Sequence, residues 1–366
     1  MIFTTTREEI LIHLQQIVSV IEKRQTMPIL ANVLLVLDGE DLTLTGTDLE
    51  IQLVAKIKVV SSSSGSITIP ARKFFDICRL SPTAAKIKFE LQGDKVKILS
   101  NRSRFLLSCL PAENYPEFAE MPFENEFSIN SGKLKKGLDK TIFCMANQDV
   151  RYYLNGLLVN VSNSKLKLVA SDGHRLSIYE DQLDESTGFE ARIIIPRKGV
   201  LELVRLLENS DVSLKIEFSA YNLRVFINNL IFSAKLVDAK YPDFSKVFQQ
   251  NFFDPIQIQK QILKDALTRV AILSNEKFKG ISFDISADTL RMSAHNPDHD
   301  EAEEELPIEF SEEGFSIAFN VQYFLDAISN IDADIALISF AQNLSSCFID
   351  EPTDCGYKFI VMPMRL

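Results

Sequence analysis

The chain contains no tryptophan, and only four histidines and five cysteines among 366 residues. Packing of large side chains therefore falls to phenylalanine, of which there are 26. The cysteines are odd in number, widely spaced and free of any C-x-x-C pair. That pattern argues against a disulfide framework or a thiolate zinc site and for reduced thiols in a cytoplasm. No apolar run reaches the length of a membrane span. The first residues, Met1-Ile2-Phe3-Thr4-Thr5-Thr6-Arg7-Glu8, lack the basic and then apolar order of a secretory signal. A cytoplasmic location without a membrane partner is expected. The motifs G-x-x-x-x-G-K-[ST], G-x-G-x-x-G after a strand, G-x-S-x-G and H-E-x-x-H are all missing, which excludes the commonest nucleotide, hydrolase and metalloprotease sites. His295 and His299 lie near Asp298 and Asp300, but Pro297 between them prevents a helical ligand pair, so no metal is expected. His174 has no Ser or Cys partner in a recognised motif and reads as a polar residue at a strand–turn boundary. Neither catalysis nor a cofactor is expected.

What is present is acidity, unevenly spread. The net charge is −11, which alone argues against a protein that coats nucleic acid. Residues 251–366 carry 20 acids against 8 bases, whereas residues 126–250 carry 15 against 17. A basic surface can thus exist in the first two thirds if it is confined to one face.

The chain also repeats itself. Leu42-Thr43-Leu44-Thr45-Gly46-Thr47-Asp48 is matched by Leu166-Lys167-Leu168-Val169-Ala170-Ser171-Asp172 and by Leu290-Arg291-Met292-Ser293-Ala294-His295-Asn296, at a constant spacing of 124. Asn32, Gly156 and Gly280 keep the same spacing. Ile67-Thr68-Ile69-Pro70-Ala71-Arg72-Lys73 is answered by Ile193-Ile194-Ile195-Pro196-Arg197-Lys198 and, without the proline and bases, by Ser316-Ile317-Ala318-Phe319-Asn320. Tyr115-Pro116 recurs as Tyr241-Pro242. Landmarks in one order at one offset indicate a triplication, and a repeat this long is a domain rather than a solenoid unit. The expected domains are 1–125, 126–250 and 251–366.

Each copy reads as alternating strands with two amphipathic helices, an α+β arrangement of antiparallel sheet. The first helices carry Ile10, Leu14, Ile17, Val18 and Ile21; Leu134, Leu138, Ile142 and Met145; and Ile262, Leu263, Ala266, Leu267 and Val270. The second carry Phe74, Phe75 and Cys78; Val200, Leu201, Val204 and Leu207; and Val321, Phe324, Leu325 and Ile328. Their other faces are basic: Lys133, Lys136 and Lys140 form one stripe, Lys198 and Arg205 another, Lys260 and Lys264 a third, and Arg72, Lys73 and Arg79 a fourth. A single basic helix face is ordinarily just solvated. Repetition over most of six helices favours a helical layer that meets phosphates by shape and charge, without reading sequence. A metal-dependent nuclease and a protein-binding repeat scaffold are the rival readings.

Seven stretches carry a more specific resemblance: Leu44 to Glu50, Pro70 to Cys78, Gln148 to Gly156, Asp172 to Leu176, Ile195 to Val200, Ala271 to Phe278 and Val361 to Leu366. Through them the whole chain resembles the β subunit of bacterial DNA polymerase III, the sliding-clamp family. The resemblance implies a head-to-tail dimeric ring of six domains with helices inside. The ring would encircle duplex DNA and tether the replicative polymerase α subunit. Other polymerases, repair proteins and an ATP-driven clamp loader would also bind, through short peptides. It also implies DNA contacts at Arg24, Arg72, Gln148, Tyr152 and Tyr153. A partner-peptide pocket is implied at Leu154, Ser171, Gly173, His174, Arg175, Leu176, Pro242, Lys246, Val247, Leu344, Ser346, Ile360, Met362, Pro363, Met364, Arg365 and Leu366. Asn147, Ser171 and Lys246 depart from the family's His, Thr and Arg. The implied dimer interface sets Lys73, Arg102, Arg104, Phe105 and Leu107 of domain one, with Arg102 and Arg104 on one strand face, against Ile272, Leu273, Glu301, Glu303 and Glu304 of domain three.

Overall fold

The computed structural model describes residues 1–21, 27–118 and 122–365. Repeat one runs β1 (Ile2–Thr6), α1 (Arg7–Val20), β2 (Asn32–Asp38), β3 (Asp41–Thr47), β4 (Ile51–Lys58), β5 (Val60–Ser63), β6 (Gly65–Pro70), α2 (Ala71–Leu80), β7 (Lys86–Gln92), β8 (Lys95–Ser100) and β9 (Ser103–Ser108). Repeat two runs β10 (Asn125–Asn130), α3 (Ser131–Thr141), β11 (Gly156–Ser162), β12 (Lys165–Ser171), β13 (Arg175–Gln182), β14 (Glu190–Pro196), α4 (Arg197–Leu206), β15 (Ser213–Phe218), β16 (Asn222–Ile227) and β17 (Leu230–Lys235). Repeat three runs β18 (Ile256–Gln259), α5 (Lys260–Ala271), β19 (Gly280–Ile285), β20 (Thr289–His295), β21 (Glu301–Pro307), β22 (Phe315–Asn320), α6 (Val321–Ser329), β23 (Ile335–Phe340), β24 (Cys347–Asp350) and β25 (Tyr357–Val361).

The helix starts follow from local chemistry. Thr6 and Glu9 form a reciprocal capping box on α1, with Glu9 N–H donating to Thr6 Oγ1 at 3.3 Å and Thr6 N–H to the Glu9 carboxylate at 3.2 Å. Asn130 accepts from Gly132 N–H at the head of α3, and Asn320 accepts from Gln322 N–H at the head of α6. Pro70 and Pro196 precede α2 and α4, where a fixed φ costs no helical hydrogen bond. Gly46 in β3 admits α1 so closely that a Cβ there would stand 2.7 Å from Ile17 Cγ2.

The chain forms two compact units. One comprises Met1–Lys135 with Lys198–Asp238, the other Lys136–Arg197 with Ala239–Leu366. In the first, a five-stranded sheet of order β5-β1-β7-β8-β9 accompanies an eight-stranded sheet of order β10-β15-β16-β17-β4-β3-β2-β6. In the second, an eight-stranded sheet, β14-β11-β12-β13-β25-β24-β23-β18, accompanies a four-stranded one, β21-β20-β19-β22. Every pairing is antiparallel. Each eight-stranded sheet thus joins four strands of repeat two to four of a neighbouring repeat.

Phenylalanine fills the cores as the absence of tryptophan requires. Phe3 stacks on Phe89 at 4.7 Å between centroids, and Phe283, Phe319 and Phe324 meet at 4.8 to 5.6 Å. These rings are fully buried, and edge and offset contacts of this kind add to their area burial. The expected helix stripes hold with local corrections. Ile262 and Leu201 are each 47% exposed, and the buried face of α4 is Val200, Leu203 and Leu206 together with Glu202. Glu202 is tolerated there because it pairs with Arg205 and accepts from Ser19 Oγ. Ile142 leaves the α3 stripe because α3 ends at Thr141 and a 3-10 turn over Ile142–Cys144 buries Cys144 instead.

Candidate functional site

The repeated Thr/Ser-Asp landmark has a physical job. In repeat one, Thr47 Oγ1 donates to Ile51 O and accepts from Leu49 N–H, while Asp48 accepts from Glu50 and Ile51 N–H. In repeat two, Ser171 Oγ donates to Arg175 O and accepts from Gly173 N–H, while Asp172 accepts from His174 and Arg175 N–H. Asn296 takes the same place in repeat three and accepts from Asp300 N–H. The residue at the third position of the turn needs positive φ: Leu49 has +78° and Gly173 has +88°. His299, within the β20–β21 turn, has φ +67°.

The repeat-two turn is the hub of the candidate peptide pocket, all of whose residues fall in the second unit. Val361 of β25 pairs opposite Arg175, and the tail continues as Met362 N–H donating to His174 O at 2.8 Å and Met364 N–H to Ala318 O at 2.8 Å. Met362, Pro363 and Met364 are half-buried and Arg365 is exposed; Leu366 lies outside the described residues. Tyr241, the residue before Pro242, packs on Tyr153 at 6.5 Å between ring centroids. The segment from Pro242 through Lys246 and Val247 then reaches the β23–β24 hairpin, where Ser345 Oγ donates to Gln250 Oε1 and Gln342 N–H to Asn251 O. That hairpin carries Leu344 and Ser346.

The pocket residues divide by exposure. Leu154, Leu176, Ser346 and Ile360 are buried, with Leu176 of β13 opposite Ile360 of β25. Gly173, His174, Pro242 and Lys246 are exposed. Arg175 is not an open cation: its Nε donates to Asp172 at 3.0 Å, its Nη1 to Asp326 at 2.6 Å, and its guanidinium covers the Tyr323 ring at 4.5 Å. Burial pushes the neighbouring Cys144 thiol well above its usual range, so it stays neutral.

Among the DNA candidates, Arg24 lies outside the described residues. Arg72 is exposed on α2 in the first unit. Gln148, Tyr152 and Tyr153 share one loop of the second unit; Gln148 has φ +59° and Tyr152 is 59% exposed. The same loop carries Arg151, which no sequence motif singles out. Its guanidinium pairs with Asp149 at 2.9 to 3.0 Å and holds that carboxyl down to about 2. The basic helix stripes need correction. Lys140 is buried, ion-paired to Asp332 and 4.2 Å over the Tyr357 ring, and Lys136 reaches the same Asp332. Lys198 pairs with Asp48, Arg205 with Glu202, and Lys260 donates to Ile331 O. Lys136, Lys140, Lys198 and Lys260 are drawn to acceptors outside their own helices, and Arg205, besides Glu202 one turn away on α4, reaches Gln16 O of α1, which helical spacing alone does not reveal.

Most of the interface candidates sit on two strands that are sheet edges among the described residues. β9 ends the five-stranded sheet and β21 ends the four-stranded one. Arg104 is exposed on β9, whereas Phe105 and Leu107 point to its half-buried face. Arg102 lies in the turn before β9, so it does not share a strand face with Arg104. Along β21, Glu301, Glu303 and Glu305 are exposed, while Glu304 turns back to pair with Arg269 at 2.9 Å. Lys73 is exposed on α2, Ile272 is 75% exposed just past α5, and Leu273 is half-buried.

Comparison with known proteins gives this geometry its family. Residues 1–119, 128–243 and 245–365 match the N-terminal, central and C-terminal domains of the DNA polymerase III beta subunit. The beta sliding clamp of Salmonella typhimurium is 41% identical over 365 residues, covering all of both chains. The DNA polymerase sliding clamp of Pseudomonas aeruginosa, crystallised with a ligand, superposes over the whole of both chains with a TM-score of 0.97 at 40% identity. The pol III beta of Caulobacter crescentus gives 0.95 at 30% identity, again over both full lengths. The chain belongs to the DNA polymerase III beta-subunit family, the beta sliding clamps.

Proposed function

We propose that this sliding clamp, a processivity factor rather than an enzyme, works as a closed ring of two copies joined head to tail around duplex DNA. The observation that carries this reading is the internal symmetry of the sheet edges. β17 pairs with β4 in the first unit and β25 pairs with β13 in the second, and both pairings align equivalent residues. Phe232 lies opposite Leu53, and Phe359 opposite Ser177. Phe105 is the third member of this phenylalanine series, at the constant spacing of 127, but among the described residues its strand β9 has no neighbour on that side. The third counterpart of β4 and β13 is β21, whose outer edge is likewise open. Open edges invite pairing, and a heterologous contact that closes makes a ring.

Transposing the observed alignment sets Ala302 of one copy opposite Phe105 of the other and Glu303 opposite Arg104. Two such junctions pair both the β9 and the β21 edges of each copy. The domains 1–125, 126–250 and 251–366 are then six equivalent blocks with their helices lining the hole. Arg24, Arg72, Gln148, Tyr152 and Tyr153 make the phosphate and sugar contacts, which suits sliding because such contacts carry no sequence information. With a net charge of −11, retention rests on topology more than on affinity.

The groove above Leu154, Leu176 and Ile360 takes the extended peptides of the polymerase α subunit, the clamp loader, other polymerases and repair proteins, with Met362 and Met364 repacking around different anchors. A cytoplasmic location goes with these partners in the same reading. Light scattering tests the ring: the mass of two 41.4 kDa chains is expected at micromolar concentration, and a monomer there would overturn it.

A further inference from the structure

The loop that carries Gln148, Tyr152 and Tyr153 and the turn that carries Gly173 and His174 meet at one side chain, Arg151. Its backbone N–H and its Nε both donate to Asp149 Oδ1, at 2.8 and 3.0 Å, and its Nη2 donates to Asp149 Oδ2 at 2.9 Å. Nη2 also donates to the backbone oxygen of Asp172 at 2.9 Å. Asp149 is itself fixed, because its N–H donates to Asn155 Oδ1 and its carbonyl accepts from Asn155 Nδ2. The guanidinium is therefore held from the loop side before it reaches the turn. On the turn side the fit is close: a Cβ at Gly173 would lie 2.6 Å from Arg151 Nη1. The same turn supplies His174 O, on which Met362 N–H hangs at 2.8 Å.

We propose that Arg151 is a positioning residue, which sets the Ser171–Arg175 turn and through it the peptide pocket from the loop bearing Gln148 and Tyr152. The planar fork suits this task, since it serves a carboxylate with two donors and keeps an arm for a carbonyl; a lysine ammonium cannot hold both in one plane. The consequence for peptides rests on the pocket reading given above. The role in the turn does not.

Two measurements on the full-length protein separate them. Hydrogen exchange at the Gly173, His174 and Arg175 amides is compared in the wild type, Arg151→Ala and Arg151→Lys. Faster exchange is expected in both variants, with thermal unfolding and solution mass unchanged, because Arg151 is exposed. Fluorescence anisotropy then follows a labelled synthetic peptide with Gln ahead of Leu and Phe anchors. Arg151→Ala is expected to weaken it about three- to tenfold, the scale of one lost charge-assisted hydrogen bond at a partly exposed site. Asp149→Asn should weaken it less, and the double variant no more than Arg151→Ala alone. Unchanged amide exchange in both Arg151 variants overturns the proposal, as does peptide affinity equal to wild type. Altered exchange with a peptide that fails to bind even the wild type upholds Arg151 as a positioning residue and refutes the pocket instead.

Discussion

Replacing Ile272 with Ala tests the ring closure where the internal symmetry is most explicit. Ile272 stands twelve residues past the start of α5, as Phe143 stands twelve past the start of α3. Phe143 packs against Phe359 at 5.2 Å between ring centroids. The counterpart of Phe359 is Phe105, so Ile272 should pack on Phe105 of a second copy. Within one chain Ile272 is 75% exposed, and its truncation should leave the fold intact. Burial of the three lost carbons at about 0.8 kcal/mol each, reduced for the quarter already covered, gives about 2 kcal/mol per interface. A ring has two interfaces, so the dimer should weaken by about 4 kcal/mol, or about a thousandfold in Kd. Sedimentation velocity across a dilution series reads this directly, with thermal unfolding as the control. A dimer constant within a few-fold of wild type would refute the assignment of Ile272, and a large fall in melting temperature of the monomer would show that it belongs to the fold.

Three further outcomes follow from the same geometry. Arg104→Glu or Glu303→Arg alone should weaken the dimer and raise its sensitivity to salt, while the double reversal should restore it in sedimentation; failure of the double variant to recover would reject the transposed alignment. Deleting Met362 to Leu366 removes the tail bonded to His174 and Ala318 and should abolish peptide binding in anisotropy while light scattering still reports a dimer. Burial holds the His13 imidazole below its ordinary range. Between that depressed value and about 6.5 the unfolded chain binds a proton that the folded chain does not, so stability should fall as pH drops from 7 to 5. Denaturant titrations of the His13→Gln variant should lack that part of the slope.

Much of this architecture is written locally and could be read from the chain. The triplication stood out because the Asp48, Asp172 and Asn296 turns use side chains to cap their own backbones, so their composition is fixed by local hydrogen bonding. The helices after Pro70 and Pro196 were legible because proline's fixed φ suits a helix start and costs no helical hydrogen bond there. What escaped was decided by distant partners. Lys140 is one residue of a regular basic stripe until Asn330 and Asp332, some 190 positions away, draw it inward. Glu202 on the buried face of α4 answers to Ser19 and Arg205. The spacing of Phe105, Phe232 and Phe359 was present in the sequence, but it acquires meaning only once two of the three are seen opposite a neighbouring strand. Arg151 likewise sits in a legible stretch, yet its partner Asp172 O is a backbone atom that no residue pattern reveals.

Enclosure, more than affinity, should hold this protein on DNA. The most direct measurement is retention of loaded protein on a nicked circular plasmid, in salt high enough to screen phosphate contacts, before and after one double-strand cut. A closed ring predicts that the protein stays with the circle and leaves once the DNA is linear. Equal retention on both forms, or loss from both, would contradict it.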